Sequence, residues 1–452
     1  MTGHVREAFR ALRVRNFRLF AAGQIVSVAG TWMMVVAQDW LVLGLTGDSG
    51  PALATVTALQ FIPLLLFTLH GGRLADRHDK RALLTAANLA SGTLALLLAL
   101  LVFTDTVRLW HVYAFALGLG MANSVEVPTR MAFVSELVGP QLLPNASALS
   151  AAYFNAARVV GPALSGLLIT AAGTGWTMLV NAASYGATVA GLRLIRPAEL
   201  HRAPRDTTRA RVLDGLRHTA RRGDLTVPMA LVGAVGLFGM NFQLTLPLLA
   251  KSVFHSDASS FGLLTTAFAS GSLAAAFVTT ARRGRPAARV VTGSAIAFGA
   301  VEAAVGRAPS YAAAVALLFL TGFTAIYFAQ AANHYIQLGS DPRYRGRVLA
   351  LYTLILQGST PLGAVLVGAL TDRWGVRSAL LTGGLVSLAA GCAAALAHRR
   401  CARRATHGGE IRSAEGHEAQ GGAGAPGRRE AHGGPGAQGG QEAHGAQEDV
   451  RP

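Results

Sequence analysis

GGRLADRHDKR, from Gly71 to Arg81, is the stretch on which the reading of this chain turns. It lies between two long apolar runs, where a chain crossing a bilayer has to reverse. Arg73, Arg77, Lys80 and Arg81 need little explanation, because basic residues hold a connector on the cytoplasmic side. The glycine pair and Asp76 are not accounted for in that way. An acidic residue held inside a basic cluster asks for a further explanation.

Outward from there the composition is that of a membrane protein. Of 452 residues 52% are apolar and only 14% charged, and the mean hydropathy is +0.40. A soluble domain carries about 25% charged residues. Apolar runs long enough to span a bilayer as helices occur at 17–43, 52–72, 82–104, 109–134, 145–171, 175–195, 226–252, 258–282, 287–306, 309–336, 344–371 and 376–398. They are apolar nearly all round, unlike the short alternating segments of a membrane barrel. The expected fold is all-α and polytopic, with twelve transmembrane helices.

A net charge of +17 raises the alternative of a nucleic-acid partner, and the placement of the charges decides against it. With the N-terminus inside, one side collects Arg6 to Arg18, Arg73 to Arg81, nine arginines from Arg193 to Arg222, Arg282 to Arg289, Arg343 to Arg347 and Arg399 to Arg404. The other holds only Arg108, Lys251, Arg307, Arg373 and Arg377. That is the asymmetry of twelve spans with both termini cytoplasmic, with an added attraction to anionic headgroups. No aromatic interleaving marks a nucleic-acid groove. The lipid bilayer is therefore an expected partner, and no nucleic acid is. Arginine in place of lysine, beside abundant alanine, fits a GC-rich genome. The N-terminus reads as lacking a cleavable signal. Cys392 and Cys401 suggest neither a disulfide framework nor a metal site.

The arginine-rich stretch 196–225, with Pro197 and Pro204, divides the chain into six-helix bundles at 1–195 and 226–398. Within it, Val212 to Arg222 reads either as a short helix on the membrane surface or as a solvated linker. The two halves echo each other. Tyr153 precedes Pro162 as Tyr352 precedes Pro361, Trp176 and Trp374 follow, and Gly30 and Gly239 lie at similar depths. Duplicated six-helix units place a substrate site between the repeats. Beyond Arg404 the chain becomes rich in Gly, Ala, His, Glu and Gln, and 399–452 reads as a disordered cytoplasmic tail.

Catalytic signatures are missing, so an enzyme is not expected. Neither Lys80 nor Lys251 follows a glycine, which excludes a Walker phosphate loop, and no zinc or nucleophile motif occurs. No cofactor and no metal is expected. Ionisable groups inside spans are the better guide, since each is costly to bury and calls for a partner or a wet cavity. Arg158, near the middle of span five, calls for a carboxylate partner or an anionic substrate group. Asp39 in span one and Glu126 in span four are the candidate partners and the candidate proton carriers. Glu302, near the end of span nine, reads as peripheral. Asn123, Asn241, Gln243, Gln330 and Asn333 gather on spans four, seven and ten, either as interhelical hydrogen bonds or as substrate contacts.

These residues together resemble the major facilitator superfamily over 16–398. The opening stretch is similar to its signature between helices two and three, with Gly72, Asp76, Arg77 and Arg81 at the matching positions and Asp79 where many members have glycine. The loop after span eight, ARRGRPAAR, has no aspartate. GPALSG, from Gly161 and Pro162 to Gly166, is similar to the antiporters' span-five motif, with Ser165 and Ala157 replacing glycines. With QDWLVLGLTGDS after span one, the chain resembles the enterobactin-exporter-like, drug-efflux branch. The resemblance implies two rocking bundles around a cavity lined by helices one, four, seven and ten. Asp39, Glu126, Asn241, Gln243, Gln330 and Asn333 would then face substrate, with Arg158 behind them. Asp76 would latch the bundles, facing the start of helix eleven near Arg345 to Val348 or pairing with Arg130. The expected function is proton-coupled export of a small-molecule substrate, a largely hydrophobic drug or siderophore-like compound, by a monomer in a bacterial inner membrane, with the proton gradient as energy source. The alternatives are an uptake carrier for a metabolite and a transporter-like sensor or assembly protein.

Overall fold

The structure is a computed structural model in which residues 9–201, 223–280, 284–341 and 344–421 are described, with side chains as far as His398. The stretch Val212 to Arg222, read either as a surface helix or as a solvated linker, lies outside the described residues. So do Arg6, Arg282, Arg283 and Arg343.

All regular structure among the described residues is helical. Helix α1 (Arg15–Thr46) ends at Gly47, whose φ of +62° suits a left-handed cap. Helix α2 (Gly50–Arg77) starts on Ser49, which accepts from the Ala52 amide at 3.3 Å, with Pro51 in its first turn. It runs on through the glycine pair and Asp76, so most of GGRLADRHDKR is helix and the turn shrinks to His78 and Asp79. Asp79 caps α3 (Lys80–Phe103), accepting from the Ala82 amide at 2.9 Å. Its φ of −64° needs no glycine, so the departure from the signature is a helix cap rather than a defect.

Helix α4 (Leu109–Ala172) has 64 residues, roughly 96 Å if straight, or three times an apolar bilayer core. It is broken at Gly139, with φ of +72°, just ahead of Pro140. Helix α5 (Thr174–Leu194) has 21 residues. Helix α6 (Gly223–Phe238) and helix α7 (Phe242–Leu248) flank a break, after which Leu249–Val253 forms a π turn. Helices α8 (Ala258–Thr280), α9 (Ala288–Gly306) and α10 (Tyr311–Gly339) precede α11 (Arg345–Gly421), broken at Gly375. The last helix thus continues to Gly421 through residues that the composition assigns to a disordered tail; the Arg, Ala, Glu and Gln among them are good helix formers. Among the described residues, nine helices are long and apolar enough to cross a membrane, against the twelve expected. Two of the nine are the broken α4 and α11, and α5 is not among them.

Packing follows the small residues, because lipid tails give apolar helices no reason of their own to associate. The first and second halves repeat the same contacts. Gly30 lies against Ser184, and Gly239 against Ser387. Gly161 lies against Ala29 and Trp32, and Gly363 against Leu237 and Asn241. Gly120 meets the Gln60 carbonyl, and Gly322 meets that of Phe268. A β-carbon at any of these sites would strike the neighbouring helix. Leu66, Leu69, Leu97 and Leu167 point outward instead, an apolar exterior suited to lipid.

Candidate functional site

The middle of the helical body holds a chain of aromatic rings around one guanidinium. Arg158 on α4 sits over Trp32 of α1 at 5.5 Å and over Phe268 of α8 at 5.9 Å. Phe154 packs edge-on to Trp32 at 6.0 Å. Phe268 meets Phe242 of α7 at 4.5 Å, and Phe242 meets Phe298 of α9 at 6.2 Å. Cation–π contacts of this kind offset part of the cost of desolvating arginine, by about 0.5–2 kcal/mol each. Among the described residues no carboxylate pairs with Arg158, so the partner expected in Asp39 or Glu126 is not there. The rings supply the counter-field, and among the described residues the guanidinium N–H groups have no hydrogen-bond partner.

Each carboxylate expected near Arg158 has a different setting. Asp39 is buried at 7% exposure, seven residues along α1 from Trp32 and so on the same helix face. It has no partner among the described residues. Glu126 is half-buried and pairs with Arg130, one turn further along α4, at 3.0 Å. That pair also removes Arg130 as the expected partner of Asp76. Glu302 is not peripheral: it is 2% exposed, with its carboxyl oxygens against Gly239 and Gly383. Counting residues put it near the end of a span, but the side chain points inward to the break between α6 and α7.

That break is a feature the sequence reading missed. The Val235 carbonyl accepts from both the Gly239 and Met240 amides, at 2.8 and 3.1 Å, and the helix restarts at Phe242. Asn241 holds the bend: its amide donates to the Leu237 carbonyl at 2.9 Å and lies against Gly363. That bond lies within its own span rather than between helices. Gln243, Gln330 and Asn333 are half-buried in otherwise apolar helices, as is Asn123. Trp32 was also missed. A tryptophan in mid-span, away from the interfaces this residue favours, was the available signal.

The span-five motif lies between the two halves. Gly161 packs on α1, and the Ser165 hydroxyl donates to the Met33 carbonyl at 2.8 Å. Gly166 lies against Ala258 and Ser259 of α8, while Gly262 lies against the Pro162 carbonyl. Ser165 thus adds a helix-to-helix bond where the family pattern has glycine. Toward the same end Asp48 pairs with Lys251 at 2.7 Å, and Lys251 lies 5.6 Å from the Trp40 ring, itself stacked on Phe261. Asp48 is aimed there by a tight turn, with φ of +68° after Gly47.

In the opening stretch the two glycines separate. Gly71 is pressed on the Ser124 carbonyl of α4, whereas Gly72 faces open space, so the close approach belongs to the neighbour of the signature position. Asp76 is exposed and makes neither contact expected of it, with Arg130 or with the first turn of α11. Arg81 donates to the Ile195 carbonyl at 3.4 Å, and Lys80 pairs with Glu136 at 2.7 Å. Arg77 is exposed.

Known proteins resemble the chain over more than half of its length. A multidrug efflux pump, Tap, of Mycobacterium tuberculosis is 26% identical over 393 residues, covering 80% of this chain and 88% of that protein. The staphyloferrin A transporter of Staphylococcus aureus is 24% identical over 266 residues, 58% of this chain and 66% of that one. A bacterial homolog of the human lysosomal transporter Spinster, solved in an inward-facing and occupied conformation, has the same fold. Its TM-score is 0.69 at 13% identity, over 85% of this chain and 97% of that one. The model of the transmembrane secretion effector family matches residues 6–415. The chain is thus a multi-pass membrane transporter and belongs to the transmembrane secretion effector family of the major facilitator superfamily.

Proposed function

We propose that this chain is a proton-driven exporter of small, largely hydrophobic molecules, working by alternating access between two six-helix halves. Twelve crossings follow if α4 and α11 each reverse at their left-handed glycine and α5 spans once. The repeated glycine contacts support a duplicated unit of six helices. Orientation follows the arginine asymmetry, which puts both termini on the cytoplasmic side of a bacterial inner membrane and the Asp48–Lys251 pair outside. The chain acts as a monomer and needs no cofactor beyond the proton gradient.

One observation carries this reading. Contacts joining the halves gather between the Asp48–Lys251 pair and the Arg158 ring cluster, so the site lies just beneath a closed end. The rings give an apolar, sequence-tolerant surface, and Arg158 together with half-buried Gln243, Gln330 and Asn333 gives it polar points. Relatives that are efflux pumps support export. Asp39 and Glu302, buried without a cation beside them, are the groups suited to carry the proton, while Glu126 is held by Arg130.

The test is accumulation of candidate compounds in matched deletion and overexpression strains, with and without an uncoupler. Overexpression should lower intracellular levels, and the uncoupler should abolish the effect. A rise on overexpression overturns export. In vesicles, Asp39→Asn and Glu302→Gln should lose transport driven by a pH gradient. Undiminished coupling in both overturns the proton assignment.

A further inference from the structure

On the arginine-rich side, outside the body formed by the central helices, a groove of about 450 Å³ runs between the start of α3 and the end of α5. Arg81 and Arg193 line it, with Thr85, Ala86, Leu89 and Leu200 extending it along the helices. Asp79 is at its rim, with its carboxylate turned to the Ala82 amide as a helix cap. The nearby Arg196 is neutralised by Glu199 at 3.1 Å. Arg81 is steadied by the Ile195 carbonyl, and among the described residues neither Arg81 nor Arg193 has a carboxylate partner. Leu89 is 49% exposed and Leu194 56%, so the groove opens onto the lipid-facing surface rather than the central cluster.

Two arginines above an apolar cleft, at the level where a chain enters the bilayer, match the two parts of one molecule. The guanidinium groups suit a phosphodiester, and the Ala86–Leu89 wall suits the first carbons of an acyl chain. We propose that this groove binds an anionic phospholipid of the arginine-side leaflet. The lipid would bridge α3 to α5 and brace the turn that ends α2, whose residue Asp79 shares the groove.

Phosphate alone is the competing source of the same chemistry, and the two are separated by measuring both. Native mass spectrometry of the full chain in mild detergent, titrated with phosphatidylglycerol, phosphatidylcholine or inorganic phosphate, should give retention of phosphatidylglycerol only. Arg193→Gln, at an exposed position, should weaken that retention about fivefold, and Arg81→Gln with Arg193→Gln about twenty-five-fold. Leu89→Trp keeps both charges and fills the cleft, so it should also weaken retention. Wild-type retention by Arg193→Gln, or equal retention of phosphatidylcholine, overturns the proposal. So does displacement of the lipid by phosphate together with no effect of Leu89→Trp.

Discussion

The two ends of the helical body are built differently. At the Asp48 end the halves interlock: Gly50 meets Thr371, Gly262 meets Pro162, and Asp48 pairs with Lys251. At the Arg77 end the corresponding ion pairs, Lys80–Glu136 and Glu126–Arg130, join residues of a single half, and Asp76 is exposed. One end relies on close backbone approach, which glycine permits and which only a large motion can undo. The other keeps Asp76 on the surface, where the proposed cycle would bring it a partner. The rocking cycle proposed above would use both, because in it each end must close as the other opens.

The largest effect should come from filling the interlocked end. Gly262→Val places a side chain on the Pro162 carbonyl, a backbone atom that cannot give way. Transport should be lost while the protein still reaches the membrane, as read by vesicle uptake beside a fluorescent-fusion chromatogram. Wild-type transport would mean that the Pro162–Gly262 contact plays no part in the cycle. Asp76→Asn tests the opposite end. It has no contact to lose in this conformation, so insertion and melting temperature should not change. Transport should fall about tenfold, the worth of one charge-assisted hydrogen bond. Full transport would reduce the opening stretch to a topological anchor.

Smaller effects sharpen the comparison. The Asp48–Lys251 pair is only partly shielded, with side chains 31% and 27% exposed, so it contributes about 0.2–1 kcal/mol. Lys251→Gln should therefore shift the balance between the two conformations by roughly 1.4- to 5-fold toward opening at that end, read by spin-label distances. The charge-swapped pair Asp48→Lys with Lys251→Asp should restore it in part. Least affected should be Asp257→Ala. Asp257 caps α8, and the Ser260 amide and Ser259 hydroxyl hold its carboxyl below the usual carboxylate range. Its stabilisation is present above that range and is lost as pH falls through the lowered folded value. A small drop in melting temperature should be seen at neutral pH and should vanish in strong acid.

Particular residues mark how far the sequence could be read. The Gly71–Arg81 stretch identified the superfamily because its residue types and spacing are local. It did not reveal that helix continues to Arg77, or that Gly71 rather than Gly72 makes the contact. Arg158 stood out as a charge in an apolar span, but its partners are rings on two other helices, a pairing that no spacing encodes. Glu302 was misplaced because depth was counted along one helix, whereas burial depends on which neighbours that helix turns toward. The span-seven break has no proline at the bend itself, and the residues lying against it, Gly363 and Ser387, come from the two segments of α11 on either side of Gly375.

Composition and charge asymmetry by themselves determined that this is a polytopic helical protein, and which of its faces is basic. Both are set by the transfer of single side chains between water and lipid, a cost that adds up residue by residue. Only the tertiary structure decided which end is interlocked, which acids lack a cation, and what surrounds Arg158. Those depend on helices brought together from distant parts of the chain. Their approach is governed by glycines whose effect is felt only where another backbone arrives.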